Sequence, residues 1–129
     1  MDNKLNISFD LDGTIISTKT SVLFFRMMSH LLYPEANIFI LTSRQPGTEA
    51  QIIDELAEMS ILYHDIIITD KKAEFIISND ISVVFENEDE QMKKLGREIL
   101  VLKAKEEGNY NYKKDLWIGS KNTVEMIDE

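Results

Sequence analysis

The sequence predicts a three-layer α/β sandwich around a mostly parallel five-stranded sheet, and two observations support this prediction. Five short runs of β-branched and aliphatic residues recur along the chain, each too short for a helix and apolar on both faces. Between these runs lie segments whose apolar residues repeat at helical spacing. Alternating strands and helices in a chain of 129 residues are typical of one α/β domain.

The apolar runs predict five buried strands, at residues 5–9, 38–41, 66–69, 81–85 and 99–102. The segments between them predict four helices, marked by Phe24, Met28 and Leu31, by Ile52, Ile53, Leu56 and Ala57, by Ala73, Ile76 and Ile77, and by Met92 and Leu95. We expect residues 1–129 to form a single domain with its core at about residues 5–103. The tail, residues 104–129, has no assigned place, although residues 116–118 could form a short strand at a sheet edge.

Local signals indicate where some helices begin and end. Thr48 followed by Gln51 has the spacing of a capping box, and Asn87 followed by Glu90 resembles one. Gly96 is expected to end the helix that Asn87 begins. The pairs Phe24-Phe25 and Met27-Met28 are expected to pack in the core.

Composition limits the classes of function. The chain has a formal net charge of −9, which disfavours binding to nucleic acid, and it contains no cysteine, which excludes thiolate catalysis and disulfides. No apolar stretch approaches the length of a membrane span, and the first residues do not resemble a signal peptide. We therefore expect a cytoplasmic protein without membrane contact.

The first predicted strand leads directly into two carboxylates and a glycine, Asp10, Asp12 and Gly13. Ligands of open parallel sheets bind outside the carboxyl ends of strands, where these side chains would lie. Two close carboxylates repel each other unless they share a proton or bind a cation, and Mg²⁺ prefers such oxygen ligands. The sequence therefore predicts a magnesium-assisted anion site at this edge.

Four segments together resemble the haloacid dehalogenase-like (HAD) phosphatases over about residues 5–103. Residues 10–14, Asp-Leu-Asp-Gly-Thr, are similar to the first motif of that family, and Thr42 resembles the second. Lys72 resembles the family's lysine, with Lys71 as the competing assignment. The acidic pair of the fourth motif falls at residues 86–87, where this chain has Glu and Asn in place of the usual aspartates.

The resemblance implies a Rossmann-type core and an aspartyl-phosphate mechanism. Asp10 would be the nucleophile, and Asp12 would act as general acid and then as general base. Thr42 would bind the transferring phosphoryl group, and Lys72 would offset its charge. Mg²⁺ would be held by Asp10, by the backbone carbonyl of Asp12, and by Glu86 or Asn87. Asn87 also fits a helix cap, which makes Glu86 the favoured ligand of the two.

The intervals between the motifs leave room for one helix and one strand each, so we expect no cap domain. The resemblance then implies an open site for a small phosphorylated substrate or a phosphorylated macromolecule, or a site closed by a second copy of the chain. Residues 15–20 could form a small flap beside it. Arg44 is expected either to contact phosphate or to lie exposed in a loop, with exposure slightly favoured.

Two other functions remain open at this point. The departure at residues 86–87 is also consistent with a pseudoenzyme or a regulatory binding module that keeps the fold but binds metal weakly. A phosphoacceptor receiver domain would also place acids at strand ends. This alternative is less favoured, because Glu86 follows the fourth predicted strand at a position where proteins that resemble receiver domains have a small hydroxyl residue.

Overall fold

The computed structural model describes residues 4–119. Within them lie four helices, α1 (Lys19–Leu32), α2 (Glu49–Glu58), α3 (Lys72–Ser78) and α4 (Asp89–Met92). The strands are β1 (Leu5–Phe9), β2 (Ala36–Thr42), β3 (Asp65–Ile68), β4 (Val83–Glu86), β5 (Leu100–Lys103), β6 (Tyr110–Asn111) and β7 (Leu116–Trp117). The five predicted strands correspond to β1–β5, and the α/β fold class is confirmed. The last ten residues of the predicted tail lie outside the described residues.

Strands β1–β5 form one five-stranded parallel sheet in the order β3-β2-β1-β4-β5, as in Rossmann-like sandwiches. Strand β1 is central, with Leu5 opposite Ala36 of β2 and Ile7 opposite Val83 of β4. The chain moves outward from β1 through β2 to β3, and then crosses to β4 and β5 on the other side. A crevice therefore opens at the carboxyl ends of β1 and β4, where the direction of strand order changes.

The core is made by the central strands and the buried faces of the helices. Its fully buried apolar residues come mainly from β1, β2, α2 and α3: Phe9, Ile38, Ile40, Leu41, Ile52, Leu56 and Ile76. Phe9 contacts Phe25 of α1 and Phe85 of β4 edge-to-face, with ring centroids 5.0 and 5.4 Å apart. These ring contacts tie α1 to the middle of the sheet.

Several local expectations were wrong. The edge strand β5 is not buried, because Leu100 and Leu102 border solvent on the outer side of the sheet. In α1 only one member of each expected core pair faces inward, since adjacent helical residues point about 100° apart. Phe25 is buried, whereas Phe24 and Met27 are exposed.

The caps also differ from the expected ones. Thr48 is the N-cap residue of α2, but its hydroxyl donates to the carbonyl of Gln45 and caps nothing. A reciprocal capping box does form at α1, between Thr18 and Ser21, in the segment expected to be a flap. Helix α4 is a single turn that ends at Met92, and Gly96 does not terminate it.

The described part of the tail forms a hairpin of its own. Strand β7 pairs antiparallel with β6, with Trp117 opposite Tyr110, and does not extend the main sheet. Lys103 and Lys105 lie over the rings of Trp117 and Tyr110, 4.0 and 3.9 Å from their centroids. These cation–π contacts attach the hairpin to the end of β5. The short strand expected at residues 116–118 is therefore present, at Leu116–Trp117, in a separate two-stranded sheet.

None of the helices in the described residues combines the length and the apolar character that crossing a bilayer requires.

The pair Phe24-Phe25 offers a matched test of the core. Phe25 is 5% exposed and Phe24 is 46% exposed. We expect Phe25→Ala to lower the free energy of unfolding by about 3–5 kcal/mol, because it removes a buried ring and its edge contacts. We expect Phe24→Ala to lower it by about 1 kcal/mol or less. Urea unfolding measures both, and equal losses would contradict this packing.

Candidate functional site

The polar residues of the crevice come from the ends of the central strands. Asp10 directly follows β1, Thr42 ends β2, and Glu86 ends β4. Lys72 is the first residue of α3, and Asn87 follows β4. Since β1, β2 and β4 are neighbouring parallel strands, their carboxyl ends bring these groups to one edge of the sheet.

Lys72 is fully buried and lies between two buried carboxylates. Its Nζ donates to Oδ1 of Asp10 at 2.7 Å and to Oε1 of Glu86 at 3.0 Å. The side chains of Asp10 and Glu86 are 5% and 2% exposed. An isolated charge this deep would be strongly unfavourable, so the three groups stabilise one another. Lys71, the competing assignment, is exposed at the N-cap position of the same helix.

Burial and charge act in opposite directions on these groups. Burial raises the pKa of Asp10 from 3.8 to about 7, with a smaller rise from Glu86, while Lys72 opposes the change. Burial also disfavours the charge on Lys72, but Asp10 and Glu86 outweigh it and raise the pKa of Lys72 above its ordinary value. Lys72 therefore remains cationic, and Asp10 titrates in the range where a bound cation can displace its proton.

The loop after Asp10 is held tightly at its base. The hydroxyl of Thr14 donates to Oδ2 of Asp10 at 2.9 Å, and the amide of Asp10 donates to the carbonyl of Phe85. Gly13 has a φ of +85°, and a Cβ added there would collide with the side-chain amide of Asn87. Glycine is therefore required at this position both by the backbone and by the neighbouring side chain.

Asp12 does not point freely into the crevice, because Arg44 binds both of its carboxylate oxygens. Arg44 Nε and Nη2 donate to Asp12 at 2.8 Å each, and the same guanidinium donates to Glu55 at 2.6 and 2.9 Å. Hydrogen bonds from Arg44 lower the pKa of Asp12 and of Glu55. The favoured expectation, that Arg44 lies exposed in a loop, was therefore wrong, whereas its contact with phosphate stays a prediction. It is mostly buried in a bidentate contact, and contacts carboxylates on both sides.

Thr42 is buried and lies on the wall of the crevice. Its Oγ1 accepts a hydrogen bond from the backbone amide of Arg44 at 3.3 Å. A hydroxyl that accepts from the backbone keeps its own proton for donation, so Thr42 can bind an oxygen of a ligand in the crevice.

The two residues of the fourth motif have different surroundings. Glu86 accepts from Lys72 through Oε1, and from the amides of Asn87 and Glu88 through Oε2 at 3.1 and 3.2 Å. Asn87 is not a helix cap, because Glu88 takes that position and no side chain caps α4. The Nδ2 of Asn87 donates to Glu106 at 2.9 Å. Its Oδ1 is the single buried side-chain polar atom without a hydrogen-bond partner in residues 4–119.

The crevice has a volume of about 590 Å³ and is walled on one side by the tail. Asp10, Asp12, Thr42 and Asn87 line it, as do Glu106, Gly108, Asn109, Ile118 and Gly119 from the tail. Asn109 is buried and donates to the carbonyls of Asn87 and Ala104. Sequence reasoning missed these tail residues, since a polar segment with Gly108 carries no periodic signal.

The residues that line the crevice can bind a hard cation such as Mg²⁺ only if uncharged oxygen atoms also act as ligands. Across the described chain, no group of three or more Asp, Glu, His or Cys side chains is placed to hold a metal ion. Asn87 lines the same crevice as Asp10 and Asp12, and its amide oxygen has no hydrogen-bond partner in residues 4–119. Mg²⁺ commonly binds through one or two carboxylates together with other oxygens of this kind. The residues present therefore fit Mg²⁺, with Asn87 better placed than Glu86 to bind it.

Comparison of the chain with known protein families, with curated proteins and with solved structures finds no match.

The buried lysine provides a prediction about stability. Lys72→Met leaves two carboxylates facing each other, and we expect the free energy of unfolding at pH 7 to fall by about 3–5 kcal/mol. Without the lysine, the main opposition to the effect of burial on Asp10 is gone, so its carboxyl binds a proton more tightly in the folded state than in the unfolded state. The variant is therefore most stable below about pH 4 and loses stability as the pH rises through the folded pKa of Asp10.

Urea unfolding of wild type and variant between about pH 4 and pH 8 measures this difference. Lys71→Met is the matched control, because Lys71 is exposed, and we expect it to change stability little. Equal losses in the two variants, or a loss that does not grow with pH, would argue against the buried pair.

The contacts of Arg44 provide a second prediction. Because the folded pKa values of Asp12 and Glu55 are lowered, their contribution to stability is present above the ordinary values of 3.8 and 4.5 and is lost at lower pH. We expect Arg44→Gln to lower the free energy of unfolding at pH 7 by about 1 kcal/mol, with the difference closing below about pH 3. The exposed Arg97, changed to Gln, is the control. A loss of stability in Arg44→Gln that does not change with pH would contradict the contacts of Arg44 with Asp12 and Glu55.

Proposed function

We propose that the protein is a Mg²⁺-dependent phosphatase of the HAD-like type, without a cap domain, which hydrolyses phosphomonoesters through an aspartyl-phosphate on Asp10. The observation that supports this most directly is the buried contact of Lys72 with Asp10 at the carboxyl edge of the sheet. It joins two segments that are far apart in sequence and that independently resemble motifs of this family.

In the first half-reaction, a carboxylate oxygen of Asp10 attacks phosphorus, and the bond from phosphorus to the ester oxygen breaks. Contacts from Lys72 and Thr14 hold the Asp10 carboxylate in one orientation before the attack. Thr42 donates to an oxygen of the transferring group, and the charge of Lys72 offsets its negative charge. The products are an aspartyl-phosphate and an alcohol whose oxygen takes a proton from Asp12.

Asp12 can donate that proton only after it leaves Arg44 and takes up a proton from solvent water, because a carboxylate that accepts from Nε and Nη2 is held ionised. When the phosphoryl group enters the crevice, Asp12 therefore has to give up its hydrogen bonds with Arg44 and turn toward the ester oxygen. In the second half-reaction, ionised Asp12 takes a proton from water, which attacks phosphorus and breaks its bond to Asp10. Inorganic phosphate leaves, and the Asp10 carboxylate is restored.

Mg²⁺, when bound, neutralises phosphoryl oxygens and lets an anion enter a crevice with acidic walls. We assign its protein ligands as the Asp10 carboxylate, the backbone carbonyl of Asp12 and the amide oxygen of Asn87. Glu86 is left to hold Lys72, because it is not among the residues that line the crevice, whereas Asp10 and Asn87 are.

The crevice is open to solvent beside Glu88 and Glu90, both of which are exposed. We therefore propose a phosphorylated small molecule or a phosphorylated group on a larger partner as substrate, or closure by a second copy of the chain. The acidic surroundings disfavour polynucleotides, whose many phosphates would be repelled.

A binding module with little turnover is the second candidate. It is favoured by two observations: the neutral Asn87 at the expected metal site and the bidentate hold of Arg44 on Asp12. Such a protein would bind Mg²⁺ and a phosphate ester without releasing phosphate.

Release of phosphate from p-nitrophenyl phosphate with Mg²⁺ tests the enzymatic proposal. We expect activity that EDTA removes, and a loss of about a thousandfold or more in Asp10→Asn, because the amide is not a nucleophile. Asp54→Asn, at an exposed position of α2, should keep full activity. No turnover across a wide panel of phosphoesters, with Mg²⁺ binding intact, would favour the binding module.

A further inference from the structure

The tail contacts the fourth-motif region through a small network of hydrogen bonds. Glu106 Oε2 accepts from Nδ2 of Asn87 at 2.9 Å, and Glu106 Oε1 accepts from the amide of Gly108 at 2.9 Å. The backbone amide of Glu106 donates to Oδ1 of Asn109, whose own Nδ2 donates to the carbonyl of Asn87. Glu106 is thus fixed at both its main chain and its carboxylate.

This network decides which end of the Asn87 amide faces Glu106. An amide side chain can present either its NH₂ or its oxygen to a neighbour, but a carboxylate can only accept hydrogen bonds. The NH₂ of Asn87 must therefore face Glu106. Its oxygen is left buried without a hydrogen-bond partner in the described residues.

A buried acceptor without a partner is unfavourable by about 1–3 kcal/mol, so its retention calls for a reason. The same crevice is lined by Asp10 and Asp12, whose oxygens also suit a hard cation. A cation bound there would satisfy the Asn87 oxygen.

We propose that Glu106 is a positioning residue for the metal site: by accepting from the NH₂ of Asn87, it turns the amide oxygen of Asn87 toward the cation. This inference rests on the proposed function, because it refines the metal site used there. Glu106 contacts neither substrate nor metal in this assignment, and acts through Asn87.

Glu106→Gln separates this role from simple packing. The amide of Gly108 holds an oxygen at Oε1, so the new NH₂ group would take the position that faces Asn87. That NH₂ needs an acceptor, so Asn87 turns over and presents its own NH₂ to the cation site. We expect the dissociation constant for Mg²⁺ to rise by about tenfold or more, as for other outer partners of metal ligands.

Glu107→Gln is the matched control, since this neighbouring glutamate is exposed and does not contact Asn87. It removes the same charge, and we expect an unchanged dissociation constant. Isothermal titration of the 129-residue chain with MgCl₂ alone measures binding directly and does not depend on turnover. Urea unfolding without metal shows that each variant is folded.

We expect Asn87→Asp to reverse the direction in which Glu106→Gln changes the affinity for Mg²⁺. On its own it sets a carboxylate against Glu106, and we expect a protein that is less stable without metal. Combined with Glu106→Gln, the new carboxylate accepts from the NH₂ and keeps an oxygen for the cation. We therefore expect Glu106→Gln to weaken Mg²⁺ binding when Asn87 is present and to strengthen it in the Asn87→Asp background.

The outcomes distinguish this inference from the proposed function. Equal Mg²⁺ affinity in Glu106→Gln and Glu107→Gln, with phosphatase activity intact, overturns the role of Glu106 alone. Reversal of sign between the two backgrounds without phosphoester turnover supports Glu106 and overturns the phosphatase. Wild-type protein that does not bind Mg²⁺ overturns both.

Discussion

A single buried cation, Lys72, organises the carboxyl edge of the sheet. It joins the first residue of α3 to the ends of β1 and β4 through Asp10 and Glu86. None of the three charges would be stable in that position alone, because each has lost its hydration. The carboxylate proposed to react is therefore held by the same contact that secures the helix to the sheet.

Other charged side chains near the crevice are also paired with groups of opposite charge. Arg44 lies between Asp12 and Glu55, and so controls the carboxylate that would move protons. Lys72 and Arg44 each contact two carboxylates, and among the buried side-chain polar atoms of residues 4–119 the amide oxygen of Asn87 is left without a hydrogen-bond partner. A crevice lined by Asp10, by Asp12 and by the residue that carries this unpaired oxygen is suited to a cation, and this links the folded architecture to the chemistry proposed.

Features that depend on neighbouring residues were predicted well from the sequence, whereas contacts between residues far apart in the chain were not. Strands β1–β5 were predicted within about two residues, because their apolar runs report burial directly. The choice between Lys71 and Lys72 could not be made from adjacent identical residues, and it depends on the direction in which α3 starts. Arg44 was misjudged because its partners lie on other segments. Asn87 was taken for a cap because its local pattern fits one equally well.

The sequence by itself determined the order of strands and helices along the chain, the apolar central strands and the presence of acids at the end of β1, since these depend on short-range patterns of apolar and polar residues. The tertiary structure alone decided which polar groups meet: Lys72 with Asp10, Arg44 with Asp12, and Glu106 with Asn87. Such pairs join positions up to 62 residues apart in the case of Lys72 and Asp10, and no local pattern encodes them. They form because burying each charge or amide is favourable only where a partner is already in place.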